Sequence, residues 1–283
     1  MPQTSKVKEL IDQYSKSLPR HEVEIALSHL LGINRMQLHS QVIDDALITT
    51  QVKEELAEII SQRLAGNPLQ YILGTAPFRY LELEVGPGVL IPRPETEMLV
   101  DIALHQLSSF PDQTAPISVI DAGSGSGAIA ISLASETLGK KKLSLIAVEK
   151  SEAALPYLEK NIAKYAPDIR VVKQDIKDAL ANIKADVFLA NPPYVAMNQK
   201  PNLPADLEYE PEIALFGGDD GIFEIKIFIE SAVRLLKNGG FFLMEHGADQ
   251  GEILETLLQE NFKEIKHFQD LTGRIRFTSA FRK

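Results

Sequence analysis

Asn191-Pro192-Pro193-Tyr194 follows directly on the apolar run from Asp186 to Ala190, and upstream of both stands the glycine-rich Asp121-Ala-Gly-Ser-Gly-Ser-Gly127. A proline pushes the residue before it toward extended backbone and fixes its own φ, so two in succession hold Asn191 and Pro192 stiffly. That stiffness aims an amide oxygen and a main-chain carbonyl at one point. Two acceptors so placed match the two N–H bonds of a planar NH2 group, as on an amide or an adenine ring, and Tyr194 offers a flat face for it. Asn191, Pro192 and Tyr194 are therefore the candidate catalytic residues, and Asn191, Pro192, Pro193 and Tyr194 together the candidate substrate site. Asn-Pro also opens ordinary turns, but with the glycine loop ahead of it the pattern favours a ligand at a strand end, where open α/β sheets hold them.

Glycines between a strand and a helix let backbone approach a ligand closely. Gly123, Ser124, Gly125, Ser126 and Gly127 form such a loop and also satisfy the loose dinucleotide pattern. Asp121 separates the two readings, because a carboxylate at that strand end repels a pyrophosphate and attracts a cation such as the ammonium of S-adenosyl-L-methionine (AdoMet). Glu149, closing the next strand, can accept both ribose hydroxyls, a role shared by NAD and AdoMet sites. Asp175, after the third strand, is placed to accept from an adenine amino group, with Ile176 lining the ring. Asn191 borders the same site.

These residues need a scaffold, and the hydrophobic pattern supplies one. Residues 1–74 read as a small helical bundle: Ser5 to Ser17, Arg20 to Leu31 stopped by Gly32, a short piece near Arg35, and Gln51 to Ala65 stopped by Gly66. From Thr75 the period changes to two, and residues 75–92, with the turn Gly86-Pro87-Gly88, read as a β-hairpin linker. Residues 93–283 open with a helix to about Leu107 and then alternate strand and helix, the signature of an α/β domain with a mostly parallel sheet covered on both faces. The expected strands are Ile117–Asp121, Leu143–Glu149, Ile169–Lys173, Asp186–Ala190 and Gly240–Glu245, with Ile265–Gln269 and Arg274–Phe281 as an antiparallel C-terminal hairpin. Helices are expected at Ala128–Leu138, Ala153–Tyr165, Ile222–Leu236 and Gly251–Glu260. Ala196 to Gly221 shows no clear period and reads as a long loop, of the kind that is usually functional or disordered.

The chain has 283 residues, 45% of them apolar, enough for one large domain and a smaller one. It contains no cysteine, which excludes disulfides, thiolate metal sites and thiol nucleophiles and fits a cytoplasmic location. No His-x-x-x-His or similar spacing appears, and His21, His29 and His39 do not cluster with carboxylates in any ligand spacing, so no metal is expected. No secretory signal and no membrane-spanning run is evident. A formal net charge of -10, with Lys140-Lys141-Lys142 the one compact basic run, argues against a grip on nucleic acid and for a basic partner.

Taken together, these residues resemble the release factor glutamine methyltransferases, from about residue 68 to the C-terminus. The matching blocks run Pro68–Gly74, Gly86-Pro-Gly-Val-Leu-Ile-Pro-Arg-Pro-Glu-Thr-Glu97, Asp121–Ala130, Asn191–Tyr194, Glu210-Pro-Glu-Ile-Ala-Leu215, Gly218-Asp-Asp-Gly221 and Asp270-Leu-Thr-Gly-Arg274. The resemblance implies a class I AdoMet-dependent methyltransferase fold with a Rossmann-like seven-stranded sheet and a helical N-terminal domain for partner docking. It implies methyl transfer from AdoMet, leaving S-adenosyl-L-homocysteine, to the side-chain amide of the glutamine in the Gly-Gly-Gln motif of class I peptide chain release factors. Two positions depart from the family's usual pattern: Glu149, where an Asp is more familiar, and Ile176, where an aromatic is often found. Glu208, Glu210 and Glu212 are candidates for docking the release factor, while Arg93 and Glu95 either serve the site or fix the helix start. The rival readings are a DNA adenine amino-methyltransferase, which shares Asn-Pro-Pro-Tyr, and a non-catalytic AdoMet sensor.

Overall fold

Val119 and Ile120 are neighbours on one strand, yet each is fully buried in a different apolar core. That period-two burial on both faces means a sheet with helices on each side. The computed structural model describes residues 6–39, 45–111 and 115–283. It divides into two compact units, one comprising residues up to Thr75 with Pro204–Tyr209, the other Ala76–Leu203 with Glu210–Lys283. The hairpin expected as a separate linker therefore groups with the larger unit, and a piece of the long loop groups with the smaller.

The smaller unit contains α1 (Lys6–Tyr14), α2 (Arg20–Leu31), α3 (Thr50–Leu64) and α4 (Leu69–Leu73), with 3-10 turns at Gln37–His39 and Asp45–Leu47. Ser5, the expected first helical residue, lies outside the described residues. Val7, Ile11, Val23, Leu27, Leu56 and Ile60 form its core, each contributing about 1.5–3 kcal/mol on burial. Gly32 ends α2 at φ 63, a left-handed conformation that glycine adopts without penalty. Thr49 starts α3 by accepting the Val52 N–H. Tyr209 of the returning loop donates to the Ala65 carbonyl at 2.9 Å.

The larger unit begins with the hairpin β1 (Thr75–Phe78) and β2 (Leu81–Glu84), followed by α5 (Thr96–Ser108). Then come β3 (Ile117–Ala122), α6 (Ala128–Thr137), β4 (Leu143–Glu149), α7 (Leu155–Tyr165), β5 (Arg170–Lys173) and β6 (Ala185–Ala190). After the short α8 (Glu212–Leu215) follow α9 (Phe223–Leu235), β7 (Leu236–Glu245), α10 (Gly251–Leu258), β8 (Phe262–Gln269) and β9 (Ile275–Arg282). The seven strands of the main sheet lie in the order β5-β4-β3-β6-β7-β9-β8, with β9 antiparallel to both its neighbours.

Strand order reverses at β3, which pairs with β4 on one side and β6 on the other, so a crevice opens beyond its carboxyl end. The register aligns everything that matters there. Ala122 stands opposite Ala190 on β6 and Val148 on β4, and Glu149 stands opposite Lys173 on β5. Glu149, which ends its strand, and Gly123, Asn191 and Asp175, which follow theirs, therefore gather along one sheet edge.

Candidate active site

An open cleft of about 960 Å³ lies at this edge, walled by Gly123–Ser126, Val148–Ser151, Gln174–Ile176, Asn191, Pro193 and Phe228. A smaller pocket of about 300 Å³ adjoins it, lined by Leu90, Arg93, Asn191, Pro192, Tyr194, Val195, Ala214 and Leu215. Leu90, Arg93, Asn191 and Ala214 border both. Asn191 thus stands at the junction of the larger cleft and the smaller pocket.

The glycine loop takes its shape from contacts that a side chain would obstruct. Gly127 sits at φ 87, and a Cβ there would come within 2.8 Å of Ile131 and 2.9 Å of Leu158. The Glu149 carboxylate holds the loop from the other side, accepting the Gly125 N–H at 2.8 Å on Oε2 and the Ser151 N–H at 2.7 Å on Oε1. Buried Asn161 on α7 donates to the Ser126 and Glu84 carbonyls and ties the loop to the hairpin. Asp175 accepts the Lys177 N–H and lies 3.3 Å from Lys150 Nζ, while Ile176 is buried in the cleft wall.

The Asn191–Tyr194 corner is fixed from several elements at once. Asn191 Nδ2 donates to Thr96 Oγ1 at 3.0 Å, and Thr96 Oγ1 donates to Glu245 Oε2 at 2.7 Å. Tyr194 Oη donates to Glu245 Oε1 at 3.2 Å and accepts from Arg276 Nη2 at 2.6 Å, whose guanidinium also covers the tyrosine ring at 5.0 Å. Gln250 donates to the main-chain carbonyls of Tyr194 and Gly221. Val195 bridges to Phe216, and Gly217 packs so closely that a Cβ would come within 2.5 Å of the Pro193 carbonyl. Among the described residues, neither Asn191 Oδ1 nor the Pro192 carbonyl accepts a hydrogen bond. Burial raises the pKa of Glu245 and, with the Glu245 charge second, that of the Tyr194 phenol, which stays neutral.

Two family models match the chain: the PrmC N-terminal domain over residues 6–74 and the methyltransferase small domain over residues 98–206. The release factor glutamine methyltransferase of Bifidobacterium longum is 34% identical, the alignment covering 97% of this chain and 99% of that protein. The enzyme of the same name from Escherichia coli is 33% identical, over 96% of each chain. The chain belongs to the release factor glutamine methyltransferase family. It is an AdoMet-dependent methyltransferase. Two solved structures share its fold: the hMettl16 catalytic domain in complex with an RNA hairpin (16% identity, TM-score 0.56, 80% of this chain and 82% of that one), and the Thermus thermophilus 16S rRNA methyltransferase RsmC in complex with AdoMet and guanosine (19%, 0.53, 74% and 50%). The α/β sheet with its antiparallel final pair is thus the class I methyltransferase arrangement.

In this methyltransferase the structure brings Gly123, Ser124, Gly125, Ser126, Glu149, Asp175, Ile176, Asn191 and Pro193 to the cleft, and Pro192 and Tyr194 to the adjoining pocket. Gly127 lies one turn back, at the start of α6. Asp121 corrects the sequence reading. Its carboxylate is fully buried beneath the loop, accepts the Ala130 N–H at 3.1 Å on Oδ2, leaves Oδ1 without a partner and does not line the cleft. Burial pushes its pKa up to about 7, so direct contact with a ligand's ammonium does not follow from its position. Glu210 is a second correction: it is buried, and accepts from the Ile91 N–H at 3.0 Å and from Arg93 at 2.6 Å, so it braces the pocket wall and presents no docking charge. Glu212 pairs with Lys200, and Glu208 is exposed. Arg93 borders both cavities, whereas Glu95 is exposed at the start of α5.

Sequence reasoning missed Thr96, Glu245, Gln250, Arg276 and Phe228. The signal for Glu245 was present: like Glu149, it is an acid closing an apolar strand.

Proposed function

We propose that this enzyme transfers a methyl group from AdoMet to the side-chain amide nitrogen of the glutamine in the Gly-Gly-Gln motif of class I peptide chain release factors. The observation that carries the reading is the position of Asn191, whose Oδ1 is unengaged where a large cleft meets a small pocket. The relatives' shared name supplies the substrate class.

The donor set of the cleft fits AdoMet. Glu149 and Asp175 are acceptors suited to ribose hydroxyls and an adenine amino group, Val148, Ile176 and Phe228 give apolar walls, and Gly123–Ser126 give a backbone cradle. A Cβ on Gly123 would press within 3.2 Å of Phe228 and narrow that cradle. When bound, AdoMet supplies a methyl carbon activated by its sulfonium sulfur.

The chain's own residues do the rest by positioning. An amide nitrogen is a weak nucleophile, because its lone pair is delocalised and no ordinary side chain removes its proton at neutral pH. Asn191 Oδ1 and the Pro192 carbonyl each accept one N–H of the glutamine, turn its nitrogen toward the cleft and offset the positive charge that develops there, until the alkylated nitrogen, now strongly acidic, releases one proton to water. Tyr194, its hydroxyl held by Glu245 and Arg276, packs against the amide plane. Alignment of this kind can supply up to about 7–11 kcal/mol. The helical unit and exposed Glu208 serve docking, since a protein substrate needs surface beyond a side-chain pocket.

Labelled methyl transfer from AdoMet, offered a purified class I release factor, duplex DNA or buffer alone, tests the assignment. Label on the release factor that disappears when its motif glutamine is replaced supports it. Label on DNA supports an adenine amino-methyltransferase, and label nowhere supports a sensor.

A further inference from the structure

Five side chains at the Asn191–Tyr194 corner form one run of hydrogen bonds whose direction follows from an ionised Glu245, its charge faced by Arg276 at 3.6 Å. A guanidinium only donates, so Tyr194 Oη accepts from Arg276 and turns its own proton to Glu245 Oε1. From the opposite side the Thr96 hydroxyl gives its proton to Glu245 Oε2 and faces Asn191 with lone pairs alone. Only the NH2 end of the Asn191 amide can meet them, and Nδ2 stands there at 3.0 Å. Glu245 is fully buried and Thr96 nearly so, which keeps water from replacing either partner.

We propose that Thr96, oriented by Glu245, is a positioning residue that fixes the polarity of the Asn191 amide, keeping Oδ1 and not Nδ2 turned toward the nitrogen to be methylated. The inference rests on the reading of Asn191 as an acceptor of the glutamine N–H. An asparagine amide is nearly symmetric in shape, so a half-turn about χ2 exchanges oxygen and nitrogen with little steric consequence. With the lock removed, the flipped rotamer sets N–H against N–H, and only the Pro192 carbonyl still holds the glutamine. The two rotamers are close in shape, so the flip lowers turnover in molecules that remain folded, while loss of the donor to buried Glu245 lowers stability separately.

The test compares Thr96→Val, isosteric but without the hydroxyl, and Thr96→Ser, which keeps it. Steady-state methylation of a class I release factor is measured alongside AdoMet affinity and exchange of the Asn191 side-chain amide protons by NMR. The expected result for Thr96→Val is a kcat lower by about 100-fold, the scale of a misplaced catalytic group, with AdoMet Kd and release factor KM changed less than about threefold. Thr96→Ser restores most of the turnover. The Asn191 amide protons exchange slowly in the wild type and in Thr96→Ser, and quickly in Thr96→Val. Near-wild-type kcat in Thr96→Val, equal loss in both variants, or fast exchange in the wild type overturns the proposal. A wild-type enzyme that methylates no release factor instead overturns the assigned reaction, while the exchange measurement still decides the amide polarity.

Discussion

Asn191 and Thr96 lie 95 residues apart in the chain, yet Asn191 Nδ2 donates to Thr96 Oγ1 at 3.0 Å. The bond joins the end of β6 to the start of α5 and leaves Oδ1 unengaged on a residue that lines both cavities. If that oxygen holds the glutamine N–H, removing it should abolish chemistry and spare the cofactor. Asn191→Ala is expected to bind AdoMet within a few-fold of wild type while losing at least about 100-fold in kcat. Calorimetry and single-turnover methyl transfer check this; near-normal turnover removes Asn191 from the mechanism.

Glu149 works twice, ordering the glycine loop through the Gly125 and Ser151 N–H groups and lining the cleft. Each carboxylate oxygen retains a lone pair for a ribose hydroxyl. A hydrogen bond to a charged group contributes about 1.5–3 kcal/mol, so Glu149→Ala should raise the AdoMet Kd at least about tenfold. Titration calorimetry reads this, and an unchanged Kd contradicts the assignment.

Glu210 and Arg93 lock the wall shared by the two cavities. Glu210→Ala leaves the Ile91 N–H and the Arg93 guanidinium without their buried acceptor, and should lower stability by about 1–3 kcal/mol. Urea unfolding measures it. Stability equal to wild type would mean that the loops hold without this pair.

Asp121 carries a pH dependence with a definite sign. Burial lifts its folded pKa to about 7 from the ordinary carboxylate value of 3.8. The folded state therefore keeps the proton longer than the unfolded chain, and the stability this confers is complete below the unfolded value and lost as pH rises through about 7. The loss is on the order of 4 kcal/mol at pH 8, at about 1.36 kcal/mol per pH unit of difference. His246, whose pKa burial depresses to about 4, has the opposite slope over the acid range, so the comparison must be with a variant. Between pH 5 and 8, about two of those pH units remain to be lost, so Asp121→Asn should lose less stability than wild type by roughly 2–3 kcal/mol. Parallel curves in urea unfolding would contradict the cause assigned here.

The strand ends carrying the site were legible because each is an apolar run stopped by a polar residue, and β4 was placed at Leu143–Glu149 from that pattern alone. Gly123, Glu149, Asp175 and Asn191 then follow from one rule, that ligands collect at the carboxyl edge of an open sheet. Asp121 was misread because a strand's last residues alternate faces, and sequence does not reveal whether a carboxylate points to the crevice or under the helix. Thr96, Gln250 and Arg276 were invisible for another reason: each acts through one long-range hydrogen bond, and nothing local marks a partner so distant in the chain. The 3-10 turns at Met197–Asn202 and Ala205–Tyr209 and the four-residue α8 are too short to show a period, so the loop containing them read as unstructured.

The most direct measurement is fragment mass spectrometry of a class I release factor after incubation with the enzyme and AdoMet. One added methyl on the side-chain amide of the Gly-Gly-Gln glutamine, absent with Asn191→Ala, is the predicted result. A methyl on any other residue, or none on a release factor whose motif is intact, contradicts it.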